Sequence, residues 1–225
     1  MKAMVIRRIS EIKERTAPLV LEERPRPVPG EREILVKVRA CGVCHTELDE
    51  IEGRTAPPSL PVVPGHQVVG TVEEFGPATA GRFAKGQRVG VAWIHWACGR
   101  CRFCRSGLEN LCPEFKATGR DVDGGYAEFM KVPEDFAYPI PAVFSDIQAA
   151  PLLCAGTIGW RSYRLTGVRN GQALGLMGFG ASASLVIQLV RHVAPATKIF
   201  VFSRNKAEPR GRPASQAKRG RRIEW

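Results

Sequence analysis

Four cysteines, Cys98, Cys101, Cys104 and Cys112, follow the pattern Cys-x2-Cys-x2-Cys-x7-Cys. Thiolates are soft donors, and short Cys-x2-Cys turns aim them at one point, as a tetrahedral Zn²⁺ site requires. Gly99, Arg100, Arg102, Arg105 and Gly107 between them offer nothing to a hydrophobic core. Metal ligation is therefore expected to order this loop. Surface thiols or a disulfide pair are one competing reading. An iron–sulfur centre is another, because ferredoxin runs open Cys-x2-Cys-x2-Cys and end Cys-Pro, like Cys112-Pro113 here. In those runs three residues precede the last cysteine, whereas here there are seven, so zinc is preferred. Four thiolates leave no position for a substrate; such a site is structural, and the chemistry lies elsewhere.

Three further stretches carry donors: Cys41-Gly-Val-Cys44-His45-Thr46-Glu47, Pro64-Gly65-His66-Gln67, and Ala150-Pro151-Leu152-Leu153-Cys154-Ala155-Gly156. Taken singly, each His or Cys in such an apolar setting reads as packing. A fifth stretch, Gly178-x-Gly180-x-x-Ala183, fits the dinucleotide-binding fingerprint with Ala at its third small position. There the first glycine permits the tight turn, the second lets backbone approach a pyrophosphate, and the helix N-terminus receives the anion. Further on, Phe202-Ser203-Arg204-Asn205-Lys206 lacks the acid that would hold a ribose 2′-hydroxyl. Ser203 and Arg204 at this point, with Lys206, suit a 2′-phosphate, which favours NADP over NAD. The competing reading is a solvated loop with incidental charges.

The elements that must position these residues change character along the chain, whose 225 residues suit one or two domains. Glu33–Ala40 reads as a strand with Ile34, Val36, Val38 and Ala40 on one face and Lys37 and Arg39 on the other. Further strands are expected at Gln67–Glu73, Gln87–Trp93 and Tyr126–Val132, with Gly and Pro between them. This pattern argues for a partly open β-barrel. From Ser145, a plausible N-cap, residues to Leu153 read as helical, although Pro151 argues against a regular helix throughout. Ala173–Met177, Ala183–Val193 and Lys198–Phe202 then make one strand–helix–strand unit.

The N-terminal apolar run Met1–Ile6 is too short for a signal peptide. Leu174–Val190 is uncharged, but its Gly, Ser and Gln188 fit a soluble strand–turn–helix better than a membrane span. Seven cysteines, most at metal-like spacing, point to a reducing cytoplasm. The net charge of +11 invites a nucleic-acid reading. Much of it gathers in residues 209–225, where Arg210, Arg212, Lys218, Arg219, Arg221 and Arg222 face Glu224 alone. No basic stripe with interleaved aromatics accompanies it.

Together the motifs and their order resemble the zinc-dependent alcohol dehydrogenases of the medium-chain dehydrogenase/reductase family, over residues 1 to about 208. The resemblance implies an α+β fold with an α/β part: a GroES-like catalytic barrel (1–150), then the first part of a Rossmann NAD(P)-binding domain (151–208). It implies two zinc ions per chain. Cys44, His66 and Cys154 would bind the catalytic one, and the four-cysteine loop the structural one. Thr46 would bond the alcohol oxygen and take its proton, and Glu47 would orient His66. Trp93 would favour small primary alcohols, and Cys41 would be packing. Gln67 replaces a carboxylate, Asp49 a relay histidine, and Ile158 a threonine (beside Thr157) that packs on the nicotinamide. Partners would be a small alcohol or aldehyde and, as in the family, further copies of the chain.

Only two strands of a six-stranded dinucleotide domain precede Pro209. The expectation is a C-terminally truncated chain, with 209–225 a disordered or frame-shifted tail, an exposed edge at Ala173–Met177, and weak cofactor binding and turnover. The alternatives are a non-catalytic, zinc-stabilised fragment and a basic arm for nucleic acid or anionic lipid.

Overall fold

The strands of the computed structural model, which describes residues 1–13 and 17–203, arise where apolar residues recur every second position between Gly and Pro breaks. Arg204, Lys206 and residues 209–225 lie outside the described residues, and so do the expectations that fall on them. The first unit is Met1–Cys154; the second begins at Ala155.

In the first unit, β1 (Lys2–Val5) and β2 (Val20–Glu23) form an antiparallel ribbon. Then come β3 (Glu33–Gly42), the helix α1 (His45–Ile51), β4 (Gln67–Phe75) and β5 (Arg88–Val91). An excursion holds β6 (Ile94–Trp96), the short helix α2 (Arg102–Arg105) and β7 (Lys116–Ala117). β8 (Phe129–Pro133), β9 (Ala137–Pro139) and α3 (Asp146–Ala149) complete the unit. Five strands make one antiparallel sheet in the order β8-β3-β4-β5-β9. Isolated bridges Ala3–Ala127 and Ile6–Val62 tie β1 and its continuation to the loops beside it. The result is the partly open barrel expected. Its core gathers Ile34, Val36, Val68, Val72, Val89, Val91, Met130 and Val132.

β3 departs from simple alternation. Ile34, Leu35 and Val36 are all fully buried: Ile34 and Val36 belong to the core cluster, as alternation predicts, whereas Leu35, opposite Lys131 of β8, is buried outside that cluster. The register against β4 shifts between Leu35 and Val36 and again between Val38 and Ala40. The expected strand Gln87–Trp93 is likewise broken. It pairs with β4 as β5, and Ile94–Trp96 turns away to pair with β7. Tyr126–Val132 becomes a strand only from Phe129.

Ser145 caps α3 reciprocally: its Oγ accepts from the Gln148 N–H (3.3 Å), and Gln148 Oε1 accepts from the Ser145 N–H (3.0 Å). The helix stops at Ala149, and Ala150–Leu153 tightens into a 3-10 turn that delivers Cys154. Pro151 lies in the first turn of this element, where its missing N–H costs nothing.

The second unit holds α4 (Ala155–Thr166), β10 (Ala173–Met177), α5 (Ala181–Val193) and β11 (Lys198–Phe202). β10 and β11 are parallel neighbours, so α5 is a crossover helix. It buries Val186, Ile187 and Val190, at the i, i+1, i+4 spacing of one helical face, against Leu174 and Ile199. α5 begins at Ala181, so Ala183 falls within its first turn. Among the described residues no helix is long and apolar enough to cross a membrane.

Candidate metal centres

Two sets of His, Cys and acidic side chains converge among the described residues. The first is Cys98, Cys101, Cys104 and Cys112, whose sulfurs all lie within 4.8 Å of one another. Cys101 is the N-cap of α2, which carries Cys104, and a 3-10 turn, Glu109–Leu111, presents Cys112. Cys98 Sγ and Cys104 Sγ are 3.9 Å apart, Cys101 Sγ and Cys104 Sγ 3.5 Å. A tetrahedral ion with metal–sulfur bonds of about 2.3 Å would set its sulfurs roughly 3.8 Å apart. The observed separations bracket that value. They are far too long for disulfides, and all seven cysteines are free. In a four-iron cluster each thiolate binds a different iron, which holds the sulfurs wider. The geometry suits one tetrahedral ion.

Backbone N–H groups already cradle these sulfurs. Cys98 N–H donates to Cys112 Sγ and Cys101 N–H to Cys98 Sγ, both at 3.4 Å. The Cys104 N–H is the main cause of a lowered Cys101 thiol, at about 7. Desolvation instead pushes Cys104 up to about 12. Four thiols cannot all ionise at this spacing without a cation.

The second set is Cys44, His66 and Cys154, whose donor atoms also lie within 4.8 Å of one another. Cys44 is the N-cap of α1, and Glu47 at the third helical position accepts the Cys44 N–H on Oε2 at 2.7 Å. The other oxygen of Glu47 stands 2.6 Å from His66 Nδ1, and both side chains are essentially out of water. One carboxylate thus locks the helix start and addresses the imidazole. Gly65, at φ +101°, makes the turn that presents His66. A Cβ there would be strained and would press on Tyr126 and on Cys41 Sγ. Cys154 Sγ comes within 3.8 Å of Cys44 Sγ, again the tetrahedral spacing. Three ligands leave a fourth position open, as in catalytic sites.

The thiols of this set divide sharply. Hydrogen bonding from Cys154, then from His66, draws Cys44 down to about 3. The Cys44 thiolate in turn pushes Cys154 well above the usual thiol range, with burial adding to it. Burial by itself would lower His66. The Cys44 and Glu47 charges outweigh it and hold His66 near 9. Cys41 is separate: burial raises it to about 12.

Thr46 Oγ1 lies 3.6 Å from Cys44 Sγ. Trp93 meets the His66 ring edge-on at 4.9 Å between centroids, and Phe115 continues the aromatic wall. Gln67 is buried, its side chain close against Gly42. Asp49 is held by Arg54 at 2.6 Å, with His45 Nε2 3.8 Å away. The sequence reading passed over α1 itself and the buried acid Glu50. The signal for α1 was the spacing of Cys44 and Glu47, a cap followed three residues on by Glu.

In the second unit, Gly178 takes φ +91°, a conformation open to glycine, and donates its N–H to the Phe202 carbonyl at 2.7 Å. Gly180 caps α5 and Ala183 sits in its first turn. Ser203 follows β11, so the glycine turn and Ser203 meet at the carboxyl ends of two neighbouring parallel strands. Ile158 is exposed on α4.

Residues 30–142 match the alcohol dehydrogenase GroES-like domain family. The chain is 48% identical over 195 residues to a probable alcohol dehydrogenase, AdhA, of Mycobacterium tuberculosis, a match covering 84% of this chain and 55% of that protein. It is 37% identical over 192 residues to an alcohol dehydrogenase of Geobacillus stearothermophilus, covering 85% and 55%. Among solved structures it is similar to a cobalt- and zinc-bound thermostable alcohol dehydrogenase from Pyrobaculum aerophilum. The TM-score is 0.82 at 27% identity, covering 92% of this chain and 60% of that one. The chain spans about half the length of the curated relatives it matches.

Proposed function

Since this chain belongs to the alcohol dehydrogenase GroES-like domain family, we propose that it is a zinc-dependent oxidoreductase interconverting small primary alcohols and aldehydes with NAD(P). The observation that carries the reading is the convergence of Cys44, His66 and Cys154 with Glu47 against His66. Three soft or borderline donors with one position open suit a catalytic zinc, and four cysteines at tetrahedral spacing suit a structural one. When bound, zinc would supply Lewis acidity towards an alcohol or carbonyl oxygen, and NAD(P) a hydride acceptor.

The chain's own residues would do the rest. Glu47, at Nδ1, leaves the other imidazole nitrogen of His66 free to act as ligand and keeps the ring from turning. Thr46 would bond the alcohol oxygen and take its proton at Oγ1. Asp49, one helical turn further along α1, would accept it, or the proton would leave to solvent. Trp93 would narrow the site to small primary alcohols. The Gly178–Ala183 turn would meet the pyrophosphate with the free N–H groups of α5. Ser203, which follows β11, and Arg204 next to it in sequence would meet the ribose, with NADP preferred.

Seven free cysteines suit a reducing cytoplasm. The test is oxidation of ethanol or butanol with NAD⁺ or NADP⁺ by the zinc-loaded chain beside its Cys44→Ser variant. Turnover that the variant loses supports the reading, and turnover that it keeps overturns it.

A further inference from the structure

Glu50 is the most enclosed acid next to the Cys44–His66–Cys154 set. It lies three residues beyond Glu47 on α1, so the two carboxyl groups share one helix face. Its side chain is 0% exposed, and neither carboxyl oxygen has a hydrogen-bond partner among the described residues. The charged and titratable groups around it are Glu47 on the same helix, His66 before β4, Arg120 and Asp121 after β7, and Tyr126 before β8. The nearby cation is committed elsewhere. Arg120 makes two bonds to Asp121, at 2.9 and 3.2 Å, and lies over the Trp93 ring.

A carboxylate in such a place would be a second buried negative charge beside Glu47, with no donor among the described residues to balance it. That is costly, and the group keeps its proton instead. Burial, then the Glu47 charge, raises Glu50 to about 8, in line with this geometry.

We propose that Glu50 is a positioning residue of the metal centre: a neutral acid behind Glu47 at neutral pH, whose ionisation adds a second negative charge behind His66. It touches no substrate. It acts through the Glu47–His66 pair, since a more negative surrounding makes His66 a stronger donor and the bound metal a weaker Lewis acid. The inference rests on the three-ligand metal reading, which the same experiment checks separately.

The experiment loads the whole chain with cobalt(II) and follows its visible spectrum from about pH 6 to about pH 10, for the wild type and Glu50→Gln. The amide copies the neutral acid in size and charge. At the acid end the two proteins should match in spectrum, and in cobalt affinity within about three-fold. As pH rises above neutrality, the wild type should show a spectral change that follows Glu50 ionisation. Glu50→Gln should lack this change and keep only the step from water at the open position, which both proteins share. A purely structural role would change affinity or stability without removing a pH transition. Identical pH profiles in the two proteins overturn the proposal. So does a variant that already differs at the acid end, or one that no longer holds cobalt in its four-cysteine loop. A wild type that fills only that loop refutes the three-ligand site itself, and Glu50's role with it.

Discussion

His66 Nδ1 stands 2.6 Å from Glu47 Oε1, while the other oxygen of the same carboxylate accepts the backbone N–H of Cys44. One side chain thereby couples the orientation of one donor to the helix start that carries another. Glu47→Gln keeps an acceptor but loses the charge, and should weaken zinc binding at this site by about ten-fold. Glu47→Ala loses both and should weaken it by roughly 100-fold. Competition with a chelator measures this, and the four-cysteine loop, distant in sequence, serves as the unaffected control.

Glu50 gives the chain a pH dependence of definite sign. Its folded-state value of about 8 exceeds its ordinary 4.5 because burial and Glu47 disfavour the charge. The folded chain keeps a proton that the unfolded chain gives up. The stability this group contributes is full below about 4.5 and is lost as pH rises through about 8. Glu50→Gln has no proton to lose. Its thermal midpoint should move above that of the wild type as pH is raised across this window, and melting curves at both ends check it.

Much of this was readable in the chain because local chemistry decides it. β10 and β11 fall where the short apolar runs predict them, since Gln172 and Gly178 bound the first and Thr197 and Ser203 the second. Ser145 with Gln148 marks the start of α3. The inner face of β3 was legible in Ile34, Val36 and Val38, whereas the burial of Leu35 outside the core cluster depends on what the tertiary fold lays over it. α4 escaped because Trp160, Arg161, Tyr163 and Arg164 show no apolar stripe, and among its residues only Gly159 is buried. Glu50 escaped for a related reason. In a run containing Glu47, Asp49 and Glu52 an acid reads as solvated, and only the tertiary fold shuts it away.

Cofactor choice is testable at Ser203, where the chain leaves β11. A carboxylate there can accept the ribose 2′-hydroxyl of NAD and repels the 2′-phosphate of NADP. Ser203→Asp should therefore move the ratio of dissociation constants towards NAD by about ten-fold or more, the scale of one charge-assisted hydrogen bond. Titration of both nucleotides decides it. A parent chain that already binds NAD far better contradicts the NADP preference.

Two tetrahedral metal centres with different duties make zinc content per chain the decisive measurement. The wild type should hold two zinc ions and no iron, and Cys44→Ser and Cys101→Ser one zinc each. The two variants should also part in stability. A structural zinc of this kind contributes on the order of 10 kcal/mol to folding, so Cys101→Ser should unfold its four-cysteine loop. Cys44→Ser should leave the barrel folded. One zinc in the wild type, or iron with sulfide in the four-cysteine loop, would contradict the two-centre assignment.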